Sequence, residues 1–132
     1  MITGLNHITL AVLELERSLH FYQHLLGFKG HVKWQNGAYL SAGDLWLCLS
    51  VDEPCPKTDY SHIALSVESG TFHQVCERLK AHPVVQWKNN SSEGESLYLL
   101  DPDGHKLEVH VGSLASRLNA LKSHPYQGLE WL

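Results

Sequence analysis

Two histidines stand at repeated positions in this chain, where they could hold a metal ion. His7 and His62 each occupy the second position of a similar segment, NHITLAV at 6–12 and SHIALSV at 61–67. Such repetition is rare by chance, and it is expected where two copies of one module face a shared site. The simplest chemistry for two such imidazoles is metal ligation.

Strand alternation predicts which side chains accompany these histidines. His7 and Thr9 share one face of the first segment, while the apolar residues between them share the other. Near the chain's end, Glu108 and His110 share one face of another predicted strand. Two imidazoles and a carboxylate suit a divalent first-row metal with open coordination positions, and such positions imply Lewis-acid chemistry. On these grounds Glu108 and His110 both remain candidates for the third ligand.

A predicted amphipathic helix follows each histidine segment. The first, at 15–28, ends at Gly27, and the second, at 69–84, ends near Pro83. Short strand patterns broken by glycine turns come next in both halves. The predicted fold class is therefore α+β, with two paired βαβββ modules and a C-terminal helix.

The chain length of 132 residues predicts one domain. Within it we place module one at 1–50, a hinge at 51–60, module two at 61–112 and a tail at 113–132. The net charge of −4, with scattered basic residues, argues against nucleic acid as a partner. No apolar run approaches the roughly 20 residues of a membrane span, and no signal pattern opens the chain, so no membrane partner and a cytoplasmic location are expected.

The internal repeat also suggests how many metal ligands each module supplies. Aligning the glycine turns of the two modules places Trp46 opposite Glu108. If an ancestral module carried one histidine and one glutamate, Trp46 marks a lost fourth ligand and leaves room for a substrate. Trp46, Cys48 and Ser50 would then line the cavity.

Several longer motifs resemble one known family over essentially the whole chain. They are GLNHITLAV, FYQHLLGF, LWLCLS, WKNNSSEGES, YLLDPDGHKLEVHVG and the closing PYQG. The chain resembles the vicinal oxygen chelate superfamily (glyoxalases and dioxygenases), and within it the fosfomycin-resistance glutathione transferases. The resemblance implies a domain-swapped homodimer, in which His7 of one chain joins His62 and Glu108 of the other in binding Mn²⁺ or another first-row divalent metal.

The same resemblance assigns the remaining site residues. Substrate contacts fall on Thr9, Trp46, Lys88, Ser92, Tyr98 and Arg117; thiol contacts fall on Trp34, Tyr39, Ser50 and Lys88; and K⁺ ligands fall on Asn90, Ser92, Gly94 and Ser96. Thr9 and Tyr39 would be catalytic, Thr9 towards the oxirane oxygen and Tyr39 towards the thiol. The cations Lys88 and Arg117 suit a doubly charged phosphonate.

The implied reaction is the opening of the fosfomycin oxirane by the thiolate of glutathione, the co-substrate. Three alternatives remain open: transfer to another phosphonate epoxide, hydrolysis by the same fold, and a non-catalytic module that sequesters a ligand. The hydrolytic relatives carry a carboxylate where this chain has Gly37, and glycine cannot deprotonate water. A glutamate introduced at this position is expected to crowd Tyr39.

Overall fold

A computed structural model describes all of residues 1–132. Each half of the chain forms a strand, a helix and three further strands, which confirms the predicted module order. The elements are β1 His7–Val12, α1 Leu15–Leu19 with a π-helical continuation His20–Leu25, β2 Lys29–Trp34, β3 Gly37–Ala42, β4 Leu45–Val51, β5 Ile63–Ser66, α2 Ser69–Lys80, β6 Gln86–Lys88, β7 Ser96–Leu100, β8 Lys106–His110 and α3 Leu114–Ser123. His62 immediately precedes β5.

The strands form two four-stranded sheets of the same topology. Sheet A has the order β1-β4-β3-β2 and sheet B the order β5-β8-β7-β6. In each sheet the first strand of the module pairs in parallel with the last, and the other pairs are antiparallel. No helix of the chain is long and apolar enough to cross a membrane.

One apolar core joins the two modules. Val12, Leu40 and Leu49 of module one and Leu79 and Leu107 of module two belong to one buried cluster. The strand residues among them occupy the faces opposite His7 and Glu108, as the alternation predicted, and Leu79 packs against them from α2. The core therefore packs against the apolar face of each sheet. The opposite faces, which carry the polar residues, are not covered by the rest of the chain.

Polar contacts at the turn after β7 fasten the modules together. The buried hydroxyl of Tyr22 donates to Asp101 Oδ2 at 2.7 Å, and Arg17 Nη2 lies 2.9 Å from Asp103 Oδ1. His105 Nε2 donates to the Ala11 carbonyl at 2.7 Å. The turn at 101–105 thus docks module two against the first helix and strand of module one.

The strand pairing corrects the predicted alignment of the two modules, in which Trp46 was placed opposite Glu108. Thr9 and Ala64 each lie two residues after a repeated histidine, and they pair with Cys48 in sheet A and with Glu108 in sheet B. The module-one position that corresponds to Glu108 is therefore Cys48, and the expected match with Trp46 is wrong. The two hairpin turns differ in length, with residues 43–44 in module one and 101–105 in module two. Their glycines are therefore not equivalent, and correspondence must be counted from the paired strands.

Candidate functional site

The open face of sheet B brings His62 and Glu108 together. His62 Nε2 lies 2.9 Å from Glu108 Oε2, and the Glu108 residue is only 6% exposed. Burial pushes the pKa of Glu108 up, but hydrogen bonding from Ser96 and the adjacent imidazoles of His110 and His62 outweigh burial, so the pKa lies below its ordinary value. The carboxylate is thus kept ionised, which is the state that binds metal.

Glu108 uses its two oxygens differently. Oε1 accepts a hydrogen bond from Ser96 Oγ at 2.5 Å, while Oε2 faces His62. His110, the alternative ligand left open by the strand pattern, directs its Nδ1 to Ser96 Oγ at 2.6 Å. Glu108 Oε2 therefore lies beside His62, whereas the His110 ring has Nδ1 against Ser96 and Nε2 against Gly112.

The open face of sheet A carries His7 at the edge of an aromatic row. The ring centroids of His7 and Trp46 are 4.5 Å apart, those of Trp46 and Tyr39 are 5.2 Å apart, and those of Tyr39 and Trp34 are 4.8 Å apart. His7 Nδ1 lies 2.7 Å from Asn6 Oδ1, which can only accept, so Nδ1 carries the proton. His7 Nε2 is then the unprotonated nitrogen, in the arrangement usual for metal-binding histidines.

One chain does not bring His7 to His62 and Glu108. No group of three or more His, Cys, Asp or Glu side chains within the chain is placed to hold a metal ion. The two strands that carry the histidine segments lie at the edges of different sheets. Each chain therefore presents two separate open faces, one with His7 and Thr9 and the other with His62 and Glu108.

Lys88 lies over aromatic rings beside His62. Its ammonium donates to the Tyr60 hydroxyl and lies 4.7 Å from the Tyr60 ring centroid and 5.0 Å from that of Tyr98. The hydrogen bond with Tyr60 is the main cause of a raised pKa at Lys88. The cation stays protonated next to the buried carboxylate, and Tyr60 is a neighbour that the sequence did not single out.

Arg117 reaches from α3 to the Asn/Ser/Gly loop at 89–95. Its guanidinium donates to the Glu93 carbonyl at 3.0 Å and carboxylate at 3.2 Å, and lies 3.4 Å from Ser92 Oγ and from the Tyr126 hydroxyl. Burial lowers the pKa of Arg117, but hydrogen bonds to Glu93 and Tyr126 outweigh it, and the pKa is raised. Ser113 caps α3 and fixes its start.

The same loop is closed by Asn90. Asn90 Nδ2 donates to the Gly94 carbonyl at 2.8 Å, and Asn90 Oδ1 accepts from the Ser92 backbone N–H at 3.1 Å. Gly94 has φ +84°, and a Cβ there would lie 2.5 Å from the Val111 carbonyl. Only glycine fits this turn without strain, so the loop's carbonyl and amide oxygens are held in a compact curve.

Comparison with known proteins decides the family. Residues 4–109 match the Glyoxalase/Bleomycin resistance protein/Dioxygenase superfamily. The chain belongs to this superfamily. Among its members, the glutathione transferase FosA of Serratia marcescens is 51% identical, with 98% of this chain and 95% of that protein covered. The metallothiol transferase FosB of Lysinibacillus sphaericus strain C3-41 is 34% identical, with coverages of 92% and 91%.

A solved structure also matches the chain over most of its length. A variant of the fosfomycin resistance protein FosX from Listeria monocytogenes, complexed with Mn(II) and 1S,2S-dihydroxypropylphosphonic acid, matches with a TM-score of 0.81. It is 29% identical and covers 90% of this chain and 99% of its own. The glyoxalase-type fold is thereby shown for this chain.

The residues present fit a divalent metal by their chemistry. An imidazole nitrogen and a carboxylate oxygen converge at 2.9 Å on sheet B, and His7 offers its Nε2 on sheet A. This donor set is typical of first-row metals. The repeated segments already indicated both histidines, and strand alternation left Glu108 and His110 open as the third ligand. Tyr60, Glu93, Tyr126 and the Ser96 bridge to Glu108 carried no local signal in the sequence.

Proposed function

We propose that this protein is a fosfomycin-resistance glutathione transferase, in which the thiolate of glutathione opens the oxirane ring. The proposal is carried by the pairing of His62 with an ionised Glu108 on the same open face as Lys88, together with the 51% identity to a glutathione transferase. The protein would act in the cytoplasm, where glutathione is available as co-substrate.

The ligands would be His7, His62 and Glu108, with Mn²⁺ as the first choice. When bound, the metal would supply Lewis acidity towards the phosphonate and the oxirane oxygen. Thr9 lies two residues after His7 on the same strand face, where its hydroxyl would donate to that oxygen. Because His7 and the other two ligands lie on separate open faces of one chain, a homodimer would complete each site with His7 from the partner chain.

The phosphonate would be held by cations and hydroxyls on sheet B and the loop beside it. Lys88, Ser92, Tyr98 and Arg117 would donate to its oxygens, with Trp46 closing the cavity from sheet A. Arg117 already contacts Ser92 and the Glu93 carbonyl, so its guanidinium is oriented before substrate arrives. Preorganised donors of this kind favour a bound anion at little further entropic cost.

Glutathione would enter along the aromatic row of sheet A. Trp34, Tyr39 and Ser50 lie on its open face, and Lys88 faces them from the partner's sheet B in the proposed dimer. A hydrogen bond from the Tyr39 hydroxyl would stabilise the thiolate relative to the thiol. The attacking sulfur would then form a C–S bond while the ring C–O bond breaks and the oxygen takes a proton.

A K⁺ ion would bind at the Asn/Ser/Gly loop through Asn90, Ser92, Gly94 and Ser96. Carbonyl, amide and hydroxyl oxygens are the ligands that hard cations prefer. A cation beside the phosphonate would offset part of its charge. Replacing K⁺ by Na⁺ in the assay is expected to raise the KM for fosfomycin, and unchanged kinetics would remove K⁺ from the proposal.

The direct test is a product assay with the Mn²⁺-loaded protein. Mass spectrometry should find the glutathione adduct of fosfomycin when both substrates are present and no diol when glutathione is omitted. Arg117→Ala and Lys88→Ala should each lower kcat/KM for fosfomycin on the order of 10²-fold, because a charge-assisted contact is lost. Arg78→Ala, on the exposed side of α2, is the matched control and should leave kcat/KM unchanged.

A mixing experiment tests the shared site. His7→Ala and His62→Ala homodimers should each be inactive, but a refolded equal mixture should recover about a quarter of wild-type activity, because half of the dimers are mixed and each mixed dimer has one intact site. If all ligands of a site came from one chain, the mixture would stay inactive.

Hydrolysis is the second candidate, favoured by the structural match to a FosX protein bound to a dihydroxy phosphonate. The residue at position 37 argues against hydrolysis. The space above Gly37 is filled by Trp34, so no carboxylate and no base for water stands there. Formation of a diol without thiol would establish this alternative, and retention of unchanged fosfomycin on the protein would instead indicate a sequestering module.

A further inference from the structure

The hydroxyl of Ser96 bridges Glu108 and His110. Ser96 Oγ lies 2.5 Å from Glu108 Oε1 and 2.6 Å from His110 Nδ1. An ionised carboxylate can only accept, so the single proton of the hydroxyl is donated to Glu108. Ser96 must then accept from His110, which places the imidazole proton on Nδ1. His110 Nδ1 lies 2.6 Å from Ser96 Oγ and 3.3 Å from Glu108 Oε1, so the shorter path is a directed chain from His110 through Ser96 to Glu108.

The imidazole of His110 is held in place by two glycines. A Cβ at Gly94 would lie 2.9 Å from His110 Cε1, and a Cβ at Gly112 would lie 2.7 Å from His110 Nε2. The His110 side chain is 17% exposed. The ring therefore packs between the Asn/Ser/Gly loop and the chain after β8, and its Nδ1 is directed at Ser96.

We propose that His110 is a positioning residue for the metal ligand Glu108. By donating to Ser96, His110 orients the serine hydroxyl so that Glu108 Oε1 is occupied and Oε2 faces His62. The chain also strengthens each bond in it, because hydrogen bonds in series polarise one another. The inference rests on the proposed metal site and adds to it a residue that the ligand set does not contain.

Loss of this support should weaken metal binding and leave the ligands themselves intact. A Ser96 hydroxyl without its donor is free to rotate away from Glu108, and the carboxylate gains rotameric freedom. Removal of such an outer hydrogen-bond partner typically lowers metal affinity by about 10–100-fold. The effect should appear in the dissociation constant for Mn²⁺ and in activity at limiting metal, and kcat at saturating Mn²⁺ should change much less.

The experiment compares His110→Asn with His110→Leu by calorimetric titration of metal-free, full-length protein with Mn²⁺. The asparagine amide nitrogen stands close to where Nδ1 stands in histidine, so His110→Asn should bind Mn²⁺ nearly as wild type does. His110→Leu should bind about 10–100-fold more weakly. Ser96→Ala should match His110→Leu, and the double variant should be no worse than either single variant, because both remove the same chain.

The controls separate this inference from the proposed function. Titrations are made in a buffer without K⁺, so that any effect of Ser96 on K⁺ binding is excluded. If Glu108→Ala and His62→Ala bind Mn²⁺ normally, the proposed metal site is wrong. If those two variants lose Mn²⁺ while His110→Leu and Ser96→Ala keep wild-type affinity, or if His110→Asn is as weak as His110→Leu, the role of His110 is overturned. Should His110→Leu not fold, His110→Ala replaces it in the comparison with His110→Asn.

Discussion

Substitution of Gly37 by alanine is expected to destabilise the protein and to disturb the thiol face. A Cβ at position 37 would lie 2.6 Å from the Leu49 carbonyl oxygen and 2.6 Å from Trp34 Cζ2. The crowding that a Cβ meets at this position comes from Trp34 and the β4 backbone. The reason is register: Gly37 pairs directly with Trp34 across β2 and β3.

The expected loss of folding free energy in Gly37→Ala has two contributions. Overpacking against a backbone carbonyl costs typically about 1–3 kcal/mol. Trp34 is 43% exposed and can swing away, but this movement loses its edge contact with Tyr39, worth roughly 0.5–1.5 kcal/mol. A total of about 1.5–4.5 kcal/mol corresponds to a Tm lower by roughly 5–20 °C for a chain of this size.

Thermal unfolding of metal-free Gly37→Ala, with Gly70→Ala as the matched control, measures this effect. Nothing lies within 4 Å of a Cβ at Gly70, and this helical position should gain about 0.4–1 kcal/mol from the same change. The KM for glutathione should rise more than the KM for fosfomycin, and Gly37→Glu should form no diol. An unchanged Tm for Gly37→Ala, or a diol from Gly37→Glu, would refute the reasoning.

Three further outcomes are expected. Tyr22→Phe should lower the free energy of unfolding by about 1–3 kcal/mol in urea denaturation, because the buried Asp101 carboxylate loses its donor. Burial, and then Asp101, raise the pKa of Tyr22 well above 10.0. The stability that this hydroxyl contributes to the wild-type protein is therefore complete below about pH 10 and declines at higher pH. Tyr22→Phe should lack this decline when unfolding is measured as a function of pH. Gly94→Ala should reduce the response of activity to K⁺, since φ +84° and the Val111 carbonyl both exclude a side chain there; an unaltered K⁺ titration would contradict this. Glu108→Gln should abolish most Mn²⁺ binding in calorimetry, and wild-type affinity would rule out Glu108 as a ligand.

The sequence alone determined the features that depend on local periodicity. Alternation along the strands predicted that His7 and Thr9 share a polar face, and the helix ends were marked by Gly27 and Pro83. The repeated histidine segments predicted two modules, which the two sheets of identical topology confirm. These predictions succeed because strand and helix periods depend on neighbouring residues only.

Only the tertiary structure decided which distant side chains meet. Cys48, and not Trp46, corresponds to Glu108, because the length of a turn shifts residue equivalence without changing the pattern on either strand. Arg117 meets Glu93, and His110 meets Ser96, through packing between elements far apart in the chain. The separation of His7 from His62 and Glu108 within one chain is likewise a property of how the two sheets are arranged. No local pattern encodes such contacts, because they depend on how whole elements pack.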